Sequence, residues 1–120
     1  MQTPKPHFID FEYFEIKIAD TWLSRLRGLL GSEPLHHHQA LWLRPCHSVH
    51  TFGMSYPIAV HFLDKNMRII KSLPCLKPNR VAICLKAFSV LEMRSVSAIE
   101  LILQIKAIEG VMQEYSQAAG

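Results

Sequence analysis

The alternation of apolar and polar residues predicts a chain built mainly of short β-strands. Phe14–Ile18 alternates apolar and charged side chains, which is typical of a strand with one buried face. Ala59–Leu63 and Met67–Lys71 are two apolar runs separated by Asp64-Lys65-Asn66, and aspartate and asparagine tolerate turn geometry. We therefore predict a β-hairpin over residues 59–71.

The other predicted elements are short and several end at prolines. Ala40–Leu43 begins a strand that Pro45 interrupts, and it follows a polar loop over Ser32–Gln39. Pro74 and Pro78 are expected to delimit a further loop. The remaining predictions are a strand over Phe88–Glu92, a helical turn over Ser95–Glu100 and a strand over Leu101–Ile108.

One short helix is predicted near the N-terminus. Asp20 is a suitable N-cap, because its carboxylate can accept hydrogen bonds from the free N–H groups of a first turn. Leu23, Leu26 and Leu30 recur at helical spacing and are expected to face the core together. The predicted stop positions are Gly28 and Gly31. Together these elements predict a mainly β fold, a small antiparallel barrel or jelly-roll-like sandwich with one short N-terminal α-helix.

Composition indicates one domain over residues 1–120, with a core over about residues 14–110 and flexible ends. The 120 residues are 49% hydrophobic, which is enough to build one core. The net charge is +3 and the basic residues are scattered, so we expect no nucleic-acid partner. No apolar run approaches the roughly 20 residues that span a bilayer. Three cysteines, an odd number, favour a reducing compartment, and we expect a cytoplasmic protein.

The segment Leu43–Ile58 concentrates the chemistry of the chain. Thiolate and imidazole groups there could bind zinc. On a strand, however, Cys46 and His50 share a face, whereas His47 points to the other. Two ligands do not complete a metal site, and the positions that could supply a third are His61, Cys75, Cys84 and the run His36–His38. We expect no bound metal and no cofactor.

A second hypothesis makes Cys46 a nucleophile. His50 or His47 would act as its base, and Arg44 or Arg25 would lower the pKa of the thiol. No oxyanion-hole signature accompanies these residues. Arginines on the early helix have a structural alternative as well, in which Arg25 and Arg27 hold the helix to the sheet through carboxylates such as Asp64 or Glu92.

The third hypothesis is a binding pocket around residues 42–56. Apolar walls with a few placed polar groups are typical of sites for small ligands or peptide segments. The candidate ligand-binding residues are Arg25, Trp42, Cys46, His50, Thr51 and Met54. For any one of the large apolar residues, a place in the core is the alternative.

Four blocks of sequence carry a family resemblance. Ala19–Gly31 contains Thr, then Arg-x-Arg, then Gly-Leu-Leu, and Tyr56–Asp64 contains Pro-Ile followed by a hydrophobic strand that ends in Asp. Leu76-Lys77-Pro78 and Ser89–Met93 follow in the same order. In these features the chain resembles the DUF192 (UPF0127) family, which has no assigned function. The resemblance implies a mainly β, jelly-roll-like barrel.

The chain also departs from that family pattern. Ala59 stands where the family has Asp, so a role for that carboxylate is absent here. Arg94-Ser95-Val96 and Ala107-Ile108-Glu109 replace a Pro-Ala-Gly block and a Gly-Asp turn. We therefore expect a non-enzymatic binding or accessory module whose partner is a small molecule or peptide, with no catalytic residues. A metal-dependent or Cys/His-dependent enzyme is the alternative.

Overall fold

The computed structural model describes residues 8–11 and 14–119, with strands between residues 8 and 94 and a long helix after them. The elements are β1 (Phe8–Phe11), β2 (Phe14–Ala19), α1 (Trp22–Arg27), β3 (Gln39–Leu43), β4 (Ser48–His50), β5 (Ile58–Leu63), β6 (Ile69–Leu76), β7 (Val81–Ile83), β8 (Ser89–Arg94) and α2 (Ala98–Ala119). The N-terminal end that was predicted to be flexible, before about residue 14, contains β1, which pairs with β2, and residues 1–7, 12 and 13, which lie outside the described residues. Residues 112–119 belong to α2.

Six strands form one mixed sheet in the order β1-β2-β3-β8-β5-β6, and β4 pairs with β7 in a separate two-stranded ribbon. Neighbouring strands are antiparallel except β2 and β3, where Ile18 lies beside Trp42 in a parallel register. Parallel neighbours need a long crossover connection. Residues 20–38, which include α1, supply that connection.

The central strands are buried on both faces. Ala40, Trp42 and Leu91 point to one face, where Ile108 and Met112 of α2 cover them. The side chains of the opposite face pack against the β4–β7 ribbon and the turn after α1, and they include Leu41, Leu43, Val60, Phe62 and Val90. Strands covered on both sides read as continuous apolar runs, which explains the sequence of β5.

A mainly β fold is confirmed, but the predicted barrel is wrong. Within residues 8–11 and 14–119, β1 and β6 stand at opposite ends of the strand order and no pairing closes the sheet. A second large sheet, as in a jelly roll, is unnecessary because α2 covers one face and the ribbon covers the other.

The predictions of a turn over residues 95–100 and a strand over 101–108 are wrong, as is that of a fold whose single helix is N-terminal, because the main helix is the C-terminal α2. Ser97 and Glu100 form a capping box at its start, since the Glu100 amide donates to Ser97 Oγ at 3.1 Å and the Ser97 amide donates to Glu100 Oε1 at 3.4 Å. Ile108, Val111, Met112 and Tyr115 then contact the sheet at helical spacing. Aliphatic residues in the first turns gave the segment the appearance of a strand.

The short helix α1 lies where it was predicted but differs in detail. Its N-cap is Thr21 rather than Asp20, and Thr21 exchanges hydrogen bonds with Ser24. Leu23 and Leu26 are 63% and 60% exposed, so the predicted core face is wrong, and Leu29 is the buried leucine of this region. A helix of six residues is buried only where neighbouring elements cover it, and a cavity lies between α1 and the sheet.

The predicted hairpin is confirmed. β5 and β6 pair antiparallel, and the Asp64 carboxylate accepts hydrogen bonds from the amides of Asn66 and Arg68 at 2.8 and 3.0 Å. The loop predicted from Pro74 is displaced, because β6 continues to Leu76. An edge strand tolerates proline, since one side of the strand donates no ladder hydrogen bonds.

A buried histidine joins α2 to the sheet. His61 on β5 is fully buried, and its ring nitrogens lie 2.7 Å from Ser72 Oγ and 2.7 Å from Gln104 Oε1. Burial lowers the pKa of His61 below its ordinary value, and the hydrogen bond to Gln104 opposes that shift without reversing it. The neutral ring is therefore the form that suits the folded protein.

We expect His61 to make the protein less stable in acid. Because its pKa is lower in the folded chain, the unfolded chain binds the proton first as the pH falls below the ordinary value of 6.5, and stability is lost there. Urea denaturation between pH 8 and 5 isolates this contribution as a difference between two proteins: the stability of His61→Asn relative to the natural protein should rise as the pH falls. Equal slopes in the two proteins would contradict the prediction.

Candidate functional site

A cavity of about 290 Å³ separates α1 from the sheet and β4, and three of the predicted site residues line it. Arg25 enters from α1, Cys46 from the loop after β3, and His50 from the end of β4. The cavity forms because the crossover after β2 carries α1 over the sheet face that the β4–β7 ribbon covers only in part.

The other three predicted residues lie elsewhere. Trp42 points to the α2 face, where its ring meets Tyr115 edge-on at 5.1 Å and the Arg44 guanidinium lies 4.4 Å above it. Met54 packs against the core on the ribbon side. Each therefore contributes to packing.

Thr51 has a structural part as well. It is fully buried, its hydroxyl donates to the Lys77 carbonyl at 2.6 Å, and the same oxygen accepts from the Arg80 amide at 2.9 Å. These bonds fix the chain after β4 to the segment that leads into β7.

The floor of the cavity is Glu92, which the sequence analysis did not include among the site residues. Glu92 is only 2% exposed, and it lies between Leu41 of β3 and Val60 of β5 in the sheet register. Its Oε1 atom accepts no hydrogen bond from any residue that the structure describes. Burial raises the pKa of Glu92 to about 7. A carboxyl group within an apolar strand, Val90-Leu91-Glu92-Met93, was the available sequence signal.

Gly28 brings the backbone of α1 close to this carboxyl. It ends the helix with φ of +51°, a conformation that glycine adopts readily. A Cβ atom at this position would lie 3.2 Å from Glu92 Oε1. The glycine therefore both ends the helix and leaves room beside the carboxyl.

The arginines of α1 do not hold Glu92 in the way the structural alternative predicted. Arg25 donates to the Asp20 carbonyl at 2.9 Å, and Arg27 Nε donates to the Leu30 carbonyl at 3.4 Å. Asp64 is occupied by the amides of its own turn. Both arginines nevertheless contribute to the lining of the cavity.

Cys46 has the environment of an unreactive thiol. Its Sγ donates to the Ser48 carbonyl at 3.1 Å. Burial raises the pKa of Cys46, and the charge of Arg25 opposes that shift without reversing it. His50 is exposed, and its Nδ1 accepts from the Phe52 amide at 3.3 Å while its ring stacks on Phe52. Neither feature favours a Cys–His nucleophile pair.

We expect Cys46 to react slowly with a thiol reagent at neutral pH. The variant that keeps only Cys46 should react about tenfold more slowly than the variant that keeps only Cys75, which is exposed. Absorbance of the released chromophore from a disulfide reagent gives both rates. Faster reaction at Cys46 would instead support the nucleophile hypothesis.

The histidines and cysteines proposed as metal ligands are dispersed. Across the part of the chain that the structure describes, no three His, Cys, Asp or Glu side chains come together as a metal site would require. His61 is occupied by Ser72 and Gln104, and His36–His38 lie in an exposed loop. Ala59, where the family resemblance has Asp, is buried on the α2 face, away from the cavity.

Comparison with known proteins shows a shared fold and a family. A protein of unknown function from Novosphingobium aromaticivorans DSM 12444 superposes with a TM-score of 0.66 and 17% identity, covering 73% of this chain and 68% of that one. A putative transcription regulator from Sinorhizobium meliloti 1021 superposes with a TM-score of 0.66 and 13% identity, covering 73% and 74%. At these identities the likeness concerns the fold alone.

No curated protein matches the sequence. No helix of residues 14–119 is long and apolar enough to cross a membrane. The profile of DUF192, "Uncharacterized ACR", matches residues 7–107, which is most of the chain. This match agrees with the family resemblance of the four sequence blocks, and the chain belongs to the DUF192 family.

Proposed function

We propose that the protein is a non-enzymatic binding module whose ligand, a small molecule or peptide segment, enters the cavity between α1 and the sheet. The observation that carries the proposal is Glu92, a buried carboxyl group whose Oε1 has no hydrogen-bond partner among the described residues. A buried polar group without a partner destabilises a fold. Its presence at the floor of a cavity is explained if a ligand supplies the missing partner.

The walls of the cavity suit a small ligand. Trp22, Leu26 and Leu43 provide apolar surface, and Glu92 and Ser48 provide a few polar atoms. The volume of about 290 Å³ is at the lower end of the range for ligand sites. It corresponds to a ligand of roughly ten non-hydrogen atoms, if each occupies about the volume of one water.

The environment of Cys46 supports binding over catalysis. A thiol whose pKa is raised by burial stays protonated at neutral pH, and only the thiolate is a good nucleophile. The enzyme alternative would need a different nucleophile or a metal.

We also propose a cytoplasmic location, because three free cysteines agree with the reducing compartment that the sequence predicts.

A blocked cavity tests the proposal. Ser48 is an exposed β4 residue that lines the cavity, so Ser48→Phe should fill part of the space without loss of core packing. A fragment library screened by amide chemical-shift changes should give ligands that shift Gly28 and Val49 in the natural protein and that bind Ser48→Phe at least about tenfold more weakly. Ser55→Phe, in an exposed loop, is the matched control. The proposal would be overturned if the ligands bound Ser48→Phe and Ser55→Phe equally, or if the screen found no ligand that binds in the cavity.

A further inference from the structure

We infer, on the basis of the binding function proposed above, that the ligand is an organic cation whose protonated amine or guanidinium group contacts Glu92 and whose short aliphatic chain lies along the apolar wall of the cavity.

The carboxyl group of Glu92 lacks a positive partner within the part of the chain that the structure describes. Leu41 and Val60 flank it in the sheet, and its Oε1 atom accepts no hydrogen bond there. A carboxylate taken out of water needs a cation, a proton or several N–H donors. A ligand that brings an N–H cation satisfies both the charge and the unpartnered oxygen, and charge-assisted hydrogen bonds of this kind are short and strong.

Arg25 does not fill this place, although it lines the same cavity. Its guanidinium donates to the Asp20 carbonyl, and its charge acts on the thiol of Cys46. Burial is the cause of the raised pKa of Glu92. Arg25 therefore leaves the carboxyl free for a ligand.

The space beside Glu92 suits a head group on a narrow chain. Gly28 has no side chain where a Cβ would lie 3.2 Å from Oε1, so the backbone at the end of α1 packs close to the carboxyl without crowding it. Leu26 and Leu43 line the cavity, and the Trp22 ring is 70% exposed there. Methylene groups bury apolar surface against such walls, and a tryptophan ring attracts a nearby cation.

Binding of a cation to Glu92 depends on pH. The other charged or titratable groups that line the cavity are Arg25, Arg27, Cys46 and His50, and Tyr56 is close enough to respond to the charge of Glu92. Because the pKa of Glu92 is about 7, the carboxylate is a minor form at pH 5 and the major form at pH 8. A cation that requires the carboxylate should therefore bind about tenfold or more weakly at pH 5 than at pH 8.

The test uses four small compounds of similar length. These are n-butylamine and n-butylguanidine, which are cations, 1-pentanol, which is neutral, and pentanoate, which is an anion. Amide chemical shifts of Gly28, Ser48 and Glu92 report binding at pH 5 and pH 8. The proteins are the natural chain, Glu92→Gln and the control Glu109→Gln, which removes the same charge from the exposed side of α2.

We expect the two cations to bind the natural chain and Glu109→Gln at pH 8, and to bind Glu92→Gln at least about tenfold more weakly. Nα-acetyl-lysine methylamide, a blocked lysine, tests whether the head group comes from a peptide side chain or from a free small molecule. It should bind as tightly as butylamine only if the cavity accepts a peptide side chain. Tight or weak binding of this compound is compatible with a cation site.

Three outcomes would overturn the cation assignment. Binding of pentanol or pentanoate in the cavity without binding of the amines would overturn it and leave the proposed binding function intact. Equal binding of the amines to the natural chain and Glu92→Gln would also overturn it, since Glu92 would then not be the contact. Absence of binding by all four compounds would reject the cation site, and the fragment screen with Ser48→Phe would then decide separately on the cavity itself.

Discussion

Replacement of Glu92 by glutamine is expected to stabilise the protein at pH 8 by about 3 kcal/mol. The carboxylate of Glu92 is buried among Leu41 and Val60 without a positive partner in the described part of the chain, and its pKa is raised from 4.5 to about 7. Each unit of that shift corresponds to about 1.4 kcal/mol between the two protonation states. Glutamine keeps the shape of the side chain and removes the charge.

The direction of the effect follows from proton binding. Between pH 4.5 and about 7 the folded chain holds the Glu92 proton and the unfolded chain does not, so stability falls as the pH rises through this range. Below pH 4.5 both states are protonated and the group contributes no difference. Above the folded pKa the full cost is present.

Urea denaturation of the natural chain, Glu92→Gln and Glu109→Gln at pH 5 and pH 8 measures the effect. The free energy of unfolding of Glu92→Gln should be higher than that of the natural chain at pH 8 and nearly equal to it at pH 5. That of Glu109→Gln, on the exposed side of α2, should match the natural chain at both pH values. A Glu92→Gln protein that is less stable at pH 8 would show that the carboxylate has a partner in solution.

The two tryptophans should differ widely in their effect on stability. Trp42 is 1% exposed and packs against Tyr115 beneath α2, so Trp42→Ala should lower the free energy of unfolding by about 4 kcal/mol. Trp22 is 70% exposed on α1, and Trp22→Ala should change it by no more than about 0.5 kcal/mol. Thermal unfolding followed by circular dichroism compares the two variants directly.

If Trp42→Ala does not fold, Trp42→Phe retains most of the ring and should give a smaller, measurable loss. The same pair of tryptophans tests the assignment of the cavity. Binding of a cavity ligand should be weakened by Trp22→Ala, which removes part of the wall, and not by Trp42→Phe. Equal losses of stability for the two alanine variants would contradict the placement of Trp42 in the core.

We expect Glu92 to link the stability of the protein to the binding of its ligand. An unpartnered carboxyl destabilises the empty protein, and glutamine or an apolar residue at position 92 would be the more stable choice. Binding and catalytic sites commonly retain such destabilising polar groups, because a substitution that removes the group raises stability but abolishes the function. The prediction for Glu92→Gln is therefore higher stability together with weaker binding of cations.

The strands with local signals were predictable. Phe14–Ile18 alternates apolar and charged residues and lies in β2. The turn over Asp64-Lys65-Asn66 was predictable because its geometry is determined by hydrogen bonds within a few residues. The C-terminal helix was missed, although Ser97 and Glu100 carry a capping-box pattern, because the eight residues Leu101–Ile108, six of them aliphatic, suit a buried strand as well as a helix. The apolar positions that resolve the ambiguity lie further on, at Val111 and Met112.

The candidate site was predictable only in part. Arg25, Cys46 and His50 do line one cavity, whereas Trp42, Thr51 and Met54 do not. Adjacent residues of a strand point to opposite faces, but a sequence that is apolar on both faces does not reveal which face meets a helix and which meets a cavity.

The sequence alone determined β2, the β5–β6 hairpin with its turn, and the family, since their signals lie within a few neighbouring residues. The tertiary structure alone decided that α2 covers one face of the sheet, that α1 stands away from the other, and that Glu92 lies beneath the gap between them. The physical reason is that burial is set by contacts between β3, β5 and β8, which are far apart in the chain. The same carboxyl would be an ordinary surface group on an exposed strand.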